Sequence, residues 1–152
     1  MVTAIDHSSE AVDFVKKYVN EQNLSNLVVR VQDLRNDFKF NEKFDCVYSN
    51  LAFQFFNENE LMKIFRKITL CLNDKGLLMF STKKPGDKYY KVGKKISENA
   101  YKTKGITRYF FHKKVILNLL SRHFKVDTIE EESHENLDKS LSVWWYVIAK
   151  KL

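Results

Sequence analysis

Asp6 stands where chemistry could begin. It closes the apolar run of residues 2–5 (VTAI) and is followed by His7 and then by Ser8 and Ser9, which read as a helix start. A carboxylate at a strand tip ahead of a serine N-cap is how nucleotide-binding α/β sheets present two acceptor oxygens to a vicinal diol. The same position also suits a plain cap or a partner for the helix dipole. A second acid, Asp33, follows the run LVVRV in Gln32-Asp33-Leu34, where an ordinary turn residue is equally at home. His7, His112, His123 and His134 are scattered without the spacing of metal ligands or of an acid–base pair, so no metal centre is expected. Between residues 83 and 104 eight lysines stand against only Asp87 and Glu98, with Tyr89, Tyr90 and Tyr101 interleaved. Such a segment suits RNA or another anion, and a solvated loop accounts for it as simply.

The elements that must hold these residues alternate between strand and helix. After the first strand, residues 8–23 predict a helix with Val12, Val15, Tyr18 and Val19 on one face, capped by Ser8 or Ser9. Leu27–Val31 is a β-branched strand, and residues 44–49 (FDCVYS) mix apolar and polar residues as a buried parallel strand does. Asn57 and Glu60 have capping-box spacing ahead of Leu61, Ile64, Phe65, Ile68 and Leu72, which share a helical face. Gly76 in NDKG suits the left-handed residue past that helix. Residues 77–82 (LLMFST) form another buried strand, broken by Pro85-Gly86. A shorter helix over residues 112–124 buries Val115 or Ile116, with Leu119 and Leu120. Strands over residues 125–129 and 143–149 come last. The acidic, polar residues 130–142 between them lack a helical stripe and read as a long hairpin.

These segments predict one α/β domain over residues 1–152, doubly wound, with a mostly parallel sheet and a C-terminal antiparallel strand. A hydrophobic content of 44% with 14% aromatics excludes a disordered chain, and no apolar run approaches membrane-spanning length. No charged-then-apolar leader is present and only two cysteines occur. Cys46 and Cys71 lie among apolar neighbours, so both are expected as buried thiols in a cytoplasmic protein.

The order of elements, ending in an antiparallel hairpin, resembles the class I S-adenosylmethionine-dependent methyltransferases. Residues 44–82 carry the closest likeness, through the FD start, the SNLA turn at residues 49–52, the pair Phe55-Phe56 and the Lys75-Gly76 ahead of an apolar strand. Residues 2–17 resemble that family's second strand with its ribose-binding acid, and Gln32-Asp33-Leu34 its adenine-contacting corner. Residues 105–126 are similar to the small-molecule, tellurite-resistance type of the family. The resemblance implies a Rossmann-like fold, S-adenosylmethionine as cofactor and a small-molecule methyl acceptor. It implies ribose hydroxyls on Asp6, adenine against His7, the adenine amino group on Asp33 and a ring nitrogen on the Leu34 N–H. Ser49 and Asn50 would border the methionine part, and Tyr90, Arg108 and Tyr109 would contact substrate.

In that family a further strand with a glycine-rich loop precedes Val2 and sits between the second and fourth strands. The first glycine of this chain is Gly76. The expectation is therefore an N-terminally incomplete domain, from a truncated reading frame, from direct pairing of the flanking strands, or from completion of the sheet by a partner such as a second copy. An RNA methyltransferase using the lysine segment, a nicotinamide-dependent reductase and a non-catalytic module of the same fold are the rival readings. An Asn/Asp-Pro-Pro-aromatic motif is absent after residues 44–49, which argues against methylation of exocyclic base amines.

Overall fold

A computed structural model describes residues 1–37 and 40–152 as two compact units, Met1–Lys39 and Phe40–Leu152. The first unit is a single crossover: β1 (Val2–Asp6), α1 (Ser9–Glu21) and β2 (Leu27–Val31). β1 and β2 pair in parallel from Val2 opposite Leu27 to Asp6 opposite Val31. Ser8 caps α1, its hydroxyl oxygen accepting from the Ala11 N–H at 3.1 Å. Glu10 in the first turn is held below its usual carboxyl pKa, chiefly by its hydrogen bond with the Ser8 hydroxyl. Val12 is buried, as expected. Tyr18 is 54% exposed and does not join it. At about 100° per residue Tyr18 lies roughly 120° around the helix from Val12, outside a stripe as narrow as the one a two-stranded sheet can cover.

The second unit holds β3 (Phe44–Asn50), a 3-10 turn (Phe53–Phe55), α2 (Glu58–Cys71), β4 (Leu72–Lys83), β5 (Lys94–Ser97), β6 (Ala100–Thr103), β7 (Ile106–Tyr109), α3 (Lys113–Leu120), β8 (Phe124–Glu135) and β9 (Leu141–Lys151). Its main sheet runs β3-β4-β9-β8. β3 and β4 are parallel, and both β9 pairings are antiparallel, the ending expected from the sequence. The capping box of α2 is complete: Asn57 Oδ1 accepts from the Glu60 N–H, and Glu60 Oε2 accepts from the Asn57 N–H. Leu61, Ile64, Phe65 and Ile68 bury the inner face of α2. Phe53, Phe65 and Phe80 form the densest part of the core, with ring centroids 5.1 to 5.7 Å apart.

Four local expectations change. Residues 83–104 are no plain loop: β5, β6 and β7 make a three-stranded antiparallel sheet. The hairpin expected over residues 130–142 is present, but its strands run further than expected, since β8 and β9 pair antiparallel as far as Glu135 opposite Leu141. Polar alternation on a hairpin with one or both faces in water carries no apolar signal to read. Gly76 is not the left-handed residue. Lys75 takes that conformation at φ 62°, inside a bulge where β4 shifts register against β3. A Cβ on Gly76 would lie 2.9 Å from the Asn73 carbonyl oxygen, so close approach explains the glycine. Cys46 is exposed, because it shares a face of β3 with the exposed Tyr48 and Asn50; Cys71 is buried as expected.

Candidate functional site

In the first unit the parallel register brings the end of β1 beside the end of β2. The Gln32 N–H donates to the Asp6 carbonyl at 2.7 Å, closing the corner that carries Asp33 and Leu34. Asp6, His7, Asp33 and Leu34 therefore share one end of this sheet. Asp6 Oδ1 accepts from the Ser8 N–H at 2.9 Å and lies 3.3 Å from His7 Nδ1. Part of this carboxylate thus does the capping that its position suggested, all of it through Oδ1, on a side chain that is half exposed. Asp33 is fixed in the same manner: its Oδ1 accepts from the Arg35 N–H at 2.8 Å, with the Arg35 guanidinium 3.7 Å away. Both acids keep one oxygen in local structure and one outside it.

In the second unit, Ser49 and Asn50 sit at the carboxyl end of β3, opposite Phe80 and Ser81 of β4. The Ser81 hydroxyl donates to Asn50 Oδ1 at 2.6 Å and accepts from the Leu51 N–H at 3.0 Å. These bonds hold the chain where Leu51 turns left-handed at φ 52°. A non-glycine residue there costs roughly 1–2 kcal/mol, so the turn is specified by its neighbours. Gln54 follows at once, buried, donating its Nε2 to the Leu51 carbonyl at 2.7 Å. Its Oε1 and the buried Thr82 hydroxyl at the end of β4 have no partner among the described residues. Sequence reading missed both; an amide just past a strand end was the only sign.

Tyr90 and Arg108 both neighbour Tyr101, and Tyr109 stands on the other face of β7. Tyr90 packs edge-on to Tyr101 and Phe110, its hydroxyl 3.4 Å from Asn99 Oδ1. Arg108 stacks 4.5 Å over the Tyr89 ring, and strand alternation on β7 turns its neighbour Tyr109 to the other side. Tyr109 lines a cleft of about 170 Å³ with Glu58, Glu98, Asn99, Phe110 and Phe111. Lys83, the last residue of β4, donates to Asp87 Oδ2 at 2.5 Å. Asp87 is wholly enclosed and also accepts from the Val143 N–H at 2.9 Å and the Tyr89 N–H at 3.1 Å. This pair ties the segment after β4 to the start of β9. Among the described residues no group of His, Cys, Asp and Glu could hold a metal, and no helix is long and apolar enough to cross a membrane.

A crossover with acids at its strand ends, and a mixed sheet closing in an antiparallel hairpin, define the class. Residues 1–76, half of the chain, match the family model described as "Methyltransferase domain", and the chain belongs to that family. It is 31% identical over 81 residues to the malonyl-[acyl-carrier protein] O-methyltransferase of Acetivibrio thermocellus, a match covering 53% of this chain and 26% of that relative. The match thus spans about a quarter of the length of the curated relative. Among solved structures, a SAM-dependent methyltransferase from Methanosarcina mazei superposes with a TM-score of 0.82 at 18% identity, over 99% of this chain and 82% of that one. TehB from Haemophilus influenzae superposes at 0.70 with 16% identity, over 99% of this chain and 50% of its own length. Both likenesses establish the α/β methyltransferase fold.

Proposed function

We propose that this chain carries an S-adenosylmethionine site and serves methyl transfer to a small-molecule acceptor, within a single methyltransferase domain spanning residues 1–152. The observation that carries the reading is the parallel β1–β2 register, which sets Asp6 and Asp33 at one sheet end. The donor set fits the cofactor. Asp6 Oδ2, which takes no part in the cap, would accept from a ribose hydroxyl, and a charge-assisted bond of this kind contributes roughly 1.5–3 kcal/mol. Asp33 offers an acceptor to the adenine amino group, the Leu34 N–H a donor to a ring nitrogen, and His7 a ring beside the base. For the methionine part the resemblance points to Ser49 and Asn50 of the second unit, where the Ser81 hydroxyl orients Asn50. When bound, the cofactor supplies an electrophilic methyl on its sulfonium.

The chain's own residues bind, orient and exclude water. No residue needs to act as a strong base when the acceptor is a soft nucleophile. Tyr109 faces a cleft of a size suited to a small acceptor, and Tyr90 supports that cleft through Phe110. Arg108 is the weakest of the three substrate candidates, because its guanidinium is engaged by Tyr89.

Titration calorimetry with S-adenosylhomocysteine tests the proposal. Binding that drops at least tenfold in Asp6→Ala, at unchanged thermal unfolding, is the expected result. Absence of binding to the cooperatively folded chain, or equal binding by Asp6→Ala, overturns it.

A further inference from the structure

The β5-β6-β7 sheet carries charge that its own chain does not answer. Lys94 and Lys102 stand directly opposite each other across β5 and β6, both exposed. Like charges directly opposed on a strand pair are destabilising, so this arrangement works against the sheet that holds it. Lys95 precedes an exposed Ile96, and Lys104 occupies the left-handed tip of the β6–β7 turn at φ 50°. Lys94, Lys95, Lys102 and Lys104 form no salt bridge among the described residues: of the two acids in the segment, Asp87 is spent on Lys83, and Glu98 in the β5–β6 turn pairs with none of them. The lysines that do find partners lie outside these strands: Lys84 reaches Glu131, and Lys88 and Lys91 sit over tyrosine rings.

We infer that this sheet is a docking surface for an acidic protein, with its lysines meeting carboxylates and its aliphatic residues covered by the partner's apolar side chains. Charge complementarity selects an anionic partner, and the remaining side chains select protein over nucleic acid. Val92, Ile96 and Ile106 are 43 to 46% exposed, Ile96 next to Lys95 in the chain and Ile106 two residues past Lys104, on the face of Thr103 and not of Lys102. Aliphatic groups gain from contact with another apolar surface and have nothing to gain from a phosphate backbone. Single-stranded nucleic acid is held by exposed aromatic faces and arginine. Here Tyr90 and Tyr101 pack against each other and Phe110, and Arg108 is stacked on Tyr89. The surface lies at the ligand end of the main sheet. The Phe111 N–H donates to the Lys83 carbonyl at 2.9 Å, and the Lys88 N–H to the Leu141 carbonyl at 2.8 Å. A partner seated there stands beside the carboxyl end of β4, where ligands of α/β sheets enter.

Direct binding measures this without turnover, so the result is independent of whether the chain transfers methyl groups. Fluorescence anisotropy is followed with three labelled probes at low and physiological salt: a helical Glu/Leu peptide with one acidic and one apolar stripe, polyglutamate of equal charge, and oligouridine of equal charge. The Glu/Leu peptide is expected to bind tightest. The double variant Lys94→Glu/Lys102→Glu should weaken it about tenfold or more, and Ile96→Ser/Ile106→Ser several-fold. Lys16→Glu, exposed on α1, should leave it unchanged, and unaltered circular dichroism confirms that the variants fold. Oligouridine binding tighter than the peptide and indifferent to the isoleucine substitutions overturns the inference in favour of RNA. Equal binding of all three probes, or binding of none, overturns it in favour of a merely solvated basic surface.

Discussion

The two units are built to different densities. Phe40–Leu152 encloses a long list of large side chains, with Phe53, Phe65, Phe80 and Phe110 all at 1% exposure. In the described part of Met1–Lys39 only Val12 is enclosed to that degree, while Phe14 and Val31 stand more than half in water. The polar groups proposed to hold the adenosyl moiety sit on the thin unit, and the aromatic core sits under the other. Regions with little buried apolar surface open more readily than regions with much. A ligand on Asp6 and Asp33 would therefore be expected to stabilise the unit that has least stability of its own, as binding to the native state does by mass action.

Removing weight from the denser unit should show the contrast most strongly. Phe80→Ala deletes the ring that meets both Phe53 and Phe65, and its loss is expected to cost about 3–5 kcal/mol. Chemical denaturation should show a large fall in midpoint, and a change below about 1 kcal/mol would mean that the core can collapse around the gap. Asp87→Ala is expected to cost about 3 kcal/mol, because it strands the Lys83 ammonium and the Val143 N–H in a closed site. Pairing it with Lys83→Met should recover much of that loss. No recovery would mean that the two backbone bonds to Asp87, and not the ion pair, carry the cost.

Val12→Ala probes the thinner unit and should cost about 2 kcal/mol. Hydrogen exchange sharpens the point beyond a single number. Amides of β1 and β2 should exchange faster than those of β4 and β9 in the parent chain, and the substitution should widen the gap. Uniform exchange across both units would remove the comparison on which the reading rests.

Much of this division was legible in the sequence. The parallel crossover, the capping box at Asn57 and Glu60, the buried α3 triplet of Ile116, Leu119 and Leu120, and the closing antiparallel strand follow from local spacing that needs no tertiary information. The β5-β6-β7 sheet did not show, because its strands are four residues each and lysine fills positions where strand-forming side chains give the usual signal. Lysine also hides the turns: Lys75, Lys91, Lys104 and Lys139 take left-handed conformations that asparagine or glycine normally announces. For the candidate site, position along the chain was readable and side-chain commitment was not. Nothing in the string says that Arg108 stacks on Tyr89, or that half of Asp6 and half of Asp33 are already used by the backbone.

The smallest expected effect separates edge from core within the second unit. Cys46 lies on β3, at the edge of its sheet, and Cys71 ends α2 in a buried position. Partial burial of the sulfur pushes the thiol pKa up at both, and at Cys71 the Lys43 ammonium opposes that rise. A thiol whose folded pKa is raised lends stability that is full below its ordinary value of 9.0 and is lost as pH climbs through the raised one. The contribution of these two thiols should accordingly be constant across neutral pH and fall only in the alkaline range. Cys46→Ser should change stability by less than about 0.5 kcal/mol, as exposed substitutions do. Under native conditions iodoacetamide should label Cys46 first, because access is open at β3, while Cys71 waits for α2 to lift. Labelling of both at one rate would mean that the two positions open together, and that the edge of this sheet is no looser than its core.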